Sequence, residues 1–134
     1  AAAPGQAALT MLYVEDNAVN VLLMQEMVRL RPGVTLQVAV DGRSGLEAAL
    51  RQRPDLVLVD MQLPDMDGLE LLRRLRAQWP QARAVGLSAN AMPDAVQRAR
   101  QAGFDDYWTK PIDVGQFLAS LDRLAAARVA AGSN

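Results

Sequence analysis

The chain has 134 residues, 51% of them apolar and 22% charged, enough for one packed domain and too few for two. Lys plus Arg number 14 against 15 Asp plus Glu, so a net charge of −1 lacks the basic excess of a stand-alone nucleic-acid binder. With neither Cys nor His, disulfides, thiol nucleophiles, zinc sites of the usual kind and Ser-His triads are excluded.

No apolar run approaches the ~20 residues that cross a bilayer, so no membrane contact is expected. Residues 1–9, with Ala1 to Ala3, Pro4 and Gly5, read as linker, which points to a domain cut from a longer protein. Met11 to Val14 is a short apolar run, predicted as a strand that ends in Glu15-Asp16-Asn17. From Ala18 to Leu30 a helix is expected, with Val19, Leu22, Leu23, Met27 and Leu30 as its apolar stripe, stopped by Pro32-Gly33. Val34 to Val40 alternates as a strand with one wetter face. Asp41-Gly42 turns into a helix over Ser44–Arg53, ended by Pro54. Leu56 to Val59 is apolar on both faces, as in a strand covered on both sides, and stops at Asp60.

A loop through Pro64 and Gly68 leads to a helix from about Leu69 to Gln78. Arg83 to Leu87 predicts a fourth strand ending at Ser88. A fourth helix follows over Asp94–Ala102, capped by Gly103. Asp105 to Thr109 is a short fifth strand, Lys110-Pro111 a turn, and Asp113 to about Ala127 a last helix. The domain is expected over 10–127, with a frayed tail over 128–134. Five strands alternating with five helices imply an α/β fold, a doubly wound parallel sheet with helices on both faces. Sites in such sheets form beyond the carboxyl ends of the strands.

That edge receives Glu15 and Asp16 from the first strand, Asp60 from the third, Ser88 from the fourth and Lys110 from the fifth. Three converging carboxylates repel one another unless a cation neutralises them. With oxygen ligands only, a hard divalent ion is expected, and Mg²⁺ suits a site of few carboxylates that keeps waters and phosphate oxygens. A metal, a carboxylate, a hydroxyl and an ammonium make a phosphoryl-transfer site, in which Asp60 attacks phosphorus to form an acyl phosphate. Lys110 is the chain's only lysine among its arginines, and a compact ammonium fits a crowded phosphate pocket where a guanidinium fork would not.

The residues resemble the receiver domain of two-component response regulators. Tyr13-Val14-Glu15-Asp16-Asn17, the run from Val59 to Gly68, Leu87-Ser88-Ala89-Asn90-Ala91 and Tyr107-Trp108-Thr109-Lys110-Pro111 are similar to its four signature segments, in order, over about Thr10 to Ala126. The resemblance implies a CheY-like, flavodoxin-like sheet of order 2-1-3-4-5. It implies Asp60 as phosphoacceptor, fed by a histidine kinase or histidine phosphotransfer domain, in cis or in trans. Asp16, Asp60 and the Gln62 carbonyl would bind Mg²⁺ directly, and Glu15 through water. Ser88, Lys110 and the backbone at Met61, Gln62 and Ala89 would hold the phosphoryl group. Ser88 and Tyr107 would act as the switch, and Lys110-Pro111 would be cis. Glu15 departs from the commoner Asp, and Ser88 from the commoner Thr. Trp108 is expected on the other side of its strand from Tyr107, packed against a helix.

The parent expected from these segments is a hybrid sensor kinase, with a stand-alone regulator and a receiver on a DNA-binding output as alternatives, and this domain is expected in the cytoplasm. The domain is expected to catalyse only its own phosphorylation and slow dephosphorylation, and so not to be an enzyme in the turnover sense. Nothing in the residues selects an oligomeric state. An aspartate-nucleophile phosphatase would instead place an acid two residues after its nucleophile, where this chain has Gln62. A flavin-binding domain would need a Ser/Thr/Gly-rich loop in place of Glu15-Asp16-Asn17.

Overall fold

The computed structural model describes residues 8–132. Ten elements alternate along them: β1 (Leu9–Val14), α1 (Ala18–Val28), β2 (Val34–Ala39), α2 (Gly42–Gln52), β3 (Leu56–Asp60), α3 (Gly68–Gln78), β4 (Ala84–Ser88), α4 (Pro93–Ala102), β5 (Asp106–Thr109) and α5 (Val114–Gly132). All strand pairs are parallel, and the order β2-β1-β3-β4-β5 matches the expected doubly wound α/β sheet.

Local chemistry explains the boundaries. Asn17, Asp41 and Asp67 are N-caps whose side chains accept backbone N–H groups at the starts of α1, α2 and α3. Pro93 opens α4, where its missing N–H costs no helical bond, and Gly103 closes it at φ 106°, a left-handed conformation that only glycine adopts freely. β3 is buried at every residue, as its unbroken apolar run requires, whereas the edge strand β2 exposes Thr35 and Gln37.

Period-two alternation splits the strand side chains between two cores. Leu12, Val14, Val57 and Val59 pack with Leu71, Leu72, Leu75 and Phe104 on the face covered by α2, α3 and α4. Met11, Tyr13, Leu58 and Leu87 pack with Met24, Phe117 and Leu121 on the face covered by α1 and α5. Each large aliphatic or aromatic side chain so buried contributes roughly 1.5–3 kcal/mol. Gly45 lets α2 settle onto β1, since a Cβ there would stand 2.8 Å from a methyl of the fully buried Val14. Trp108 lies on the opposite face from Tyr107, edge-on to Phe117 of α5 with ring centroids 6.1 Å apart, as expected.

Three expectations need correction. The α1 stripe is misplaced: Val19, Leu22, Leu23 and Leu30 are exposed, and Val21, Met24, Met27 and Val28 face the core, only Met27 being common to both sets. The helix is apolar around most of its circumference, so periodicity allows two stripes and tertiary packing selects the second. The tail expected to fray over 128–134 continues as α5 to Gly132, because an alanine-rich run has the highest helical propensity. Leu9, placed in the linker, is buried and opens β1 opposite Val34; the remainder of that linker up to residue 7 lies outside the described residues.

Candidate functional site

β1 and β3 are neighbours, and their ends bring Glu15, Asp16 and Asp60 together, with one carboxylate oxygen of each lying within 4.8 Å of the others. Asp60 ends the doubly buried β3 at 7% exposure and Glu15 is 1% exposed, whereas Asp16 stands at the open rim. The Lys110 ammonium donates to Glu15 Oε1 at 2.7 Å and lies 3.4 Å from Asp60 Oδ2. It is delivered by β5, whose pairing with β4 is prolonged by the Lys110 N–H donating to the Ser88 carbonyl at 2.8 Å. The Lys110-Pro111 bond is cis.

Asp60 Oδ1 accepts the Gln62 N–H at 3.1 Å. The Met61 N–H, expected among the phosphoryl donors, is instead committed to the Leu87 carbonyl at 2.9 Å, continuing the β3–β4 ladder. The buried Ser88 hydroxyl accepts the Asn90 N–H at 3.0 Å, with Ala89 exposed between them. Tyr107 donates its hydroxyl to the Asn90 carbonyl at 2.5 Å, tying β5 to the loop before α4. Met61, Gln62, Ser88, Asn90, Arg98 and Tyr107 line one open cleft. The loop after Asp60 is anchored to α2 by Asp65, which accepts the N–H groups of Gly42 and Arg43 at 2.8 and 2.9 Å.

The charges are uneven. Burial pushes the Asp60 carboxyl up to about 6, with the adjacent Glu15 carboxylate adding to the rise and the Gln62 N–H opposing it. Burial acts on Glu15 as well, yet hydrogen bonds with Asp60, Lys110 and Tyr13 hold it down at about 2. Burial and the Glu15 charge drive the Tyr13 phenol far up, so it remains a donor. Two partners of Glu15 escaped the sequence reading: the Tyr13 hydroxyl donates to Oε1 at 2.9 Å and Asn20 Nδ2 donates to the same oxygen at 3.1 Å. The i, i+2 spacing of Tyr13 and Glu15 places both on one side of β1 and could have revealed the first.

The all-oxygen donor set, whose negative charge Lys110 offsets only in part, fits a hard divalent cation. The response regulator receiver domain model matches residues 11–122. The chain belongs to that family. This receiver is 38% identical over 117 residues to the probable transcriptional regulatory protein TcrX of Mycobacterium tuberculosis, covering 87% of this chain and 49% of that protein. It is 36% identical over 119 residues to the aerobic respiration control sensor protein ArcB of Escherichia coli, covering 87% of this chain and 15% of that protein. The receiver thus spans less than half the length of either relative. Among solved structures, the receiver domain of sensor histidine kinase PA1611 from Pseudomonas aeruginosa, described with a magnesium ion in its active site cleft, is 34% identical with a TM-score of 0.79, covering 90% of this chain and 99% of that one. The protein is a receiver domain of two-component signalling.

Proposed function

We propose that Asp60 is the phosphoacceptor and that a phosphohistidine, on a histidine kinase or a histidine phosphotransfer domain, is the donor. The observation that supports this most is a single one: the carboxylate ending the doubly buried β3 has an ammonium 3.4 Å away and two further carboxylates at its side. A carboxylate oxygen of Asp60 attacks phosphorus; the new P–O bond forms as the P–N bond breaks, and the departing imidazole keeps the electron pair and takes up a proton from solvent. Asp16, Asp60 and the Gln62 carbonyl would hold Mg²⁺, with Glu15 through water. Bound there, Mg²⁺ would neutralise the carboxylates and the phosphoryl oxygens. Lys110 turns from Glu15 and Asp60 to pair with a phosphoryl oxygen, and the Ser88 hydroxyl exchanges the Asn90 N–H for the phosphoryl group. The N–H groups of Gln62 and Ala89 complete the cradle, and Met61 joins them only where its bond to Leu87 opens.

Ser88 and Tyr107 meet at Asn90, one through its N–H and the other through its carbonyl, so capture of the Ser88 hydroxyl moves the anchor of Tyr107. That supports a two-state switch read out on the face formed by α4, β5 and α5. The domain catalyses its own phosphorylation and slow dephosphorylation without turnover of a separate substrate. A groove of about 360 Å³ beside the site, lined in part by Leu23, Met27, Leu30, Lys110, Ile112 and Val114, supports docking of the donor against α1. The parent we favour is a hybrid sensor kinase that presents this domain in the cytoplasm. Among the described residues no helix is long and apolar enough to cross a membrane.

Incubation with acetyl phosphate and Mg²⁺, followed by intact mass, is expected to add one phosphoryl group to this chain and none to Asp60→Asn. Label that maps to another residue would overturn the assignment. Beryllofluoride with Mg²⁺ is expected to shift amide resonances of α4, β5 and α5, and an unresponsive face would remove the switch.

A further inference from the structure

Glu15 carries one more rotatable bond than an aspartate would, so its carboxylate has more freedom to lose on taking a fixed place in a site. The structure removes that freedom through one oxygen. Oε1 accepts three donors from three elements: the Tyr13 hydroxyl of β1 at 2.9 Å, Asn20 Nδ2 of α1 at 3.1 Å and the Lys110 ammonium after β5 at 2.7 Å. Oε2 accepts a long bond from the Asn17 N–H, at 3.3 Å, and the carboxylate also shares a hydrogen bond with Asp60. A carboxylate oxygen with three donors is saturated, and its partner keeps lone pairs to spare. A buried tyrosine hydroxyl needs a partner in any protein, but the convergence of a helix side chain on the same oxygen goes beyond that need.

We propose that Tyr13 and Asn20 are positioning residues, which saturate Glu15 Oε1 so that Oε2 is the oxygen offered to the water shell of the divalent cation. The inference rests on the reading of the acidic cluster as a Mg²⁺ site. Lys110 alone could not do this once a phosphoryl group draws its ammonium away; Tyr13 and Asn20 keep Glu15 in place through that exchange. They are the outer partners that metal sites use to orient a ligand, transferred here to a carboxylate acting through water.

The test is a double-mutant cycle on Mg²⁺ affinity, measured by calorimetric titration with Mg²⁺ alone. Losing an outer partner of a direct ligand costs about 10–100-fold in affinity. For a ligand acting through water, Tyr13→Phe and Asn20→Ala are each expected to weaken binding about 3–10-fold, a step below that range. In a Glu15→Gln background the same substitutions are expected to change affinity less than about twofold, because a residue acting through Glu15 has nothing left to position. Labelling by acetyl phosphate is expected to recover in both variants at saturating Mg²⁺. Equal losses with and without Glu15, or no loss in either background, would overturn the proposal. Thermal unfolding checks that the variants fold, and the partly exposed Asn20 carries the cycle alone where Tyr13→Phe does not fold. A wild type that binds no Mg²⁺ would overturn the reading of the cluster itself, an outcome distinct from variants that bind as tightly as wild type.

Discussion

Asp60 is held at a cost that depends on pH. Its carboxyl titrates near 6 in the folded chain against an ordinary value of 3.8, so the folded state binds the proton more tightly than the unfolded one. The stabilisation that accompanies this tighter binding is complete below about pH 4 and disappears as pH rises through 6. Without Mg²⁺, Asp60→Asn is therefore expected to be more stable than wild type by about 3 kcal/mol at pH 7, with the gap closing toward pH 4. Urea unfolding of both proteins across that range checks it, and a constant gap would show that Asp60 is ionised in the folded state throughout. Glu15 has the opposite sign: held near 2 against 4.5, it stabilises the fold above pH 4.5, and that contribution is lost as pH falls toward 2. The acceptor and its outer neighbour thus divide their roles before any cation arrives, one poised to take a proton and the other kept ionised by its hydrogen bonds with Asp60, Lys110 and Tyr13.

Among the elements, α1 separates what a sequence can specify from what it cannot. The strand ends were readable because β3 is apolar without interruption and then stops at a carboxylate, and a change that abrupt has few structural explanations. Lys110 was readable as the only lysine, placed beside a proline. The helix between Asn17 and Arg29 was readable as a helix but not in its orientation, since Val19, Leu22 and Leu23 compete with Val21, Met24 and Val28 for the buried face. Packing against Phe117 and Leu121 decides for the second group, and the first is left 57–65% exposed. The partners of Glu15 went unread for a related reason: a tyrosine within an apolar strand reads as core, and its hydroxyl acquires meaning only once Glu15 is known to be buried beside it. The exposed stripe has a consequence for the proposed donor. Leu23→Glu is expected to slow transfer from a phosphorylated histidine phosphotransfer domain at least ~5-fold, the equivalent of ~1 kcal/mol of interface energy, while leaving labelling by acetyl phosphate unchanged. Equal effects on both donors would place Leu23 in the site and not in a docking surface.

For the molecule as a whole, ligand binding and folding are coupled. A cation that binds the folded cluster and not the unfolded chain stabilises by about 2.7 kcal/mol at a hundred times its dissociation constant. Mg²⁺ is accordingly expected to raise the thermal midpoint of the wild type and to leave that of an Asp16→Asn, Asp60→Asn double variant nearly unmoved, as read by circular dichroism. A rise of equal size in both would mean the ion acts elsewhere on the surface. The sheet carries its chemistry at one edge and its seams at the other. At the far edge the Thr10 N–H and hydroxyl donate to the Asp55 carboxylate, which also pairs with Arg128 of α5. Strand β1 therefore enters, and the last turns of α5 leave, on the side away from the acidic cluster. Leu9, where β1 opens, and the last turns of α5 thus stand a full strand's length from Asp60, and a phosphodonor reaches the acidic cluster without crossing either.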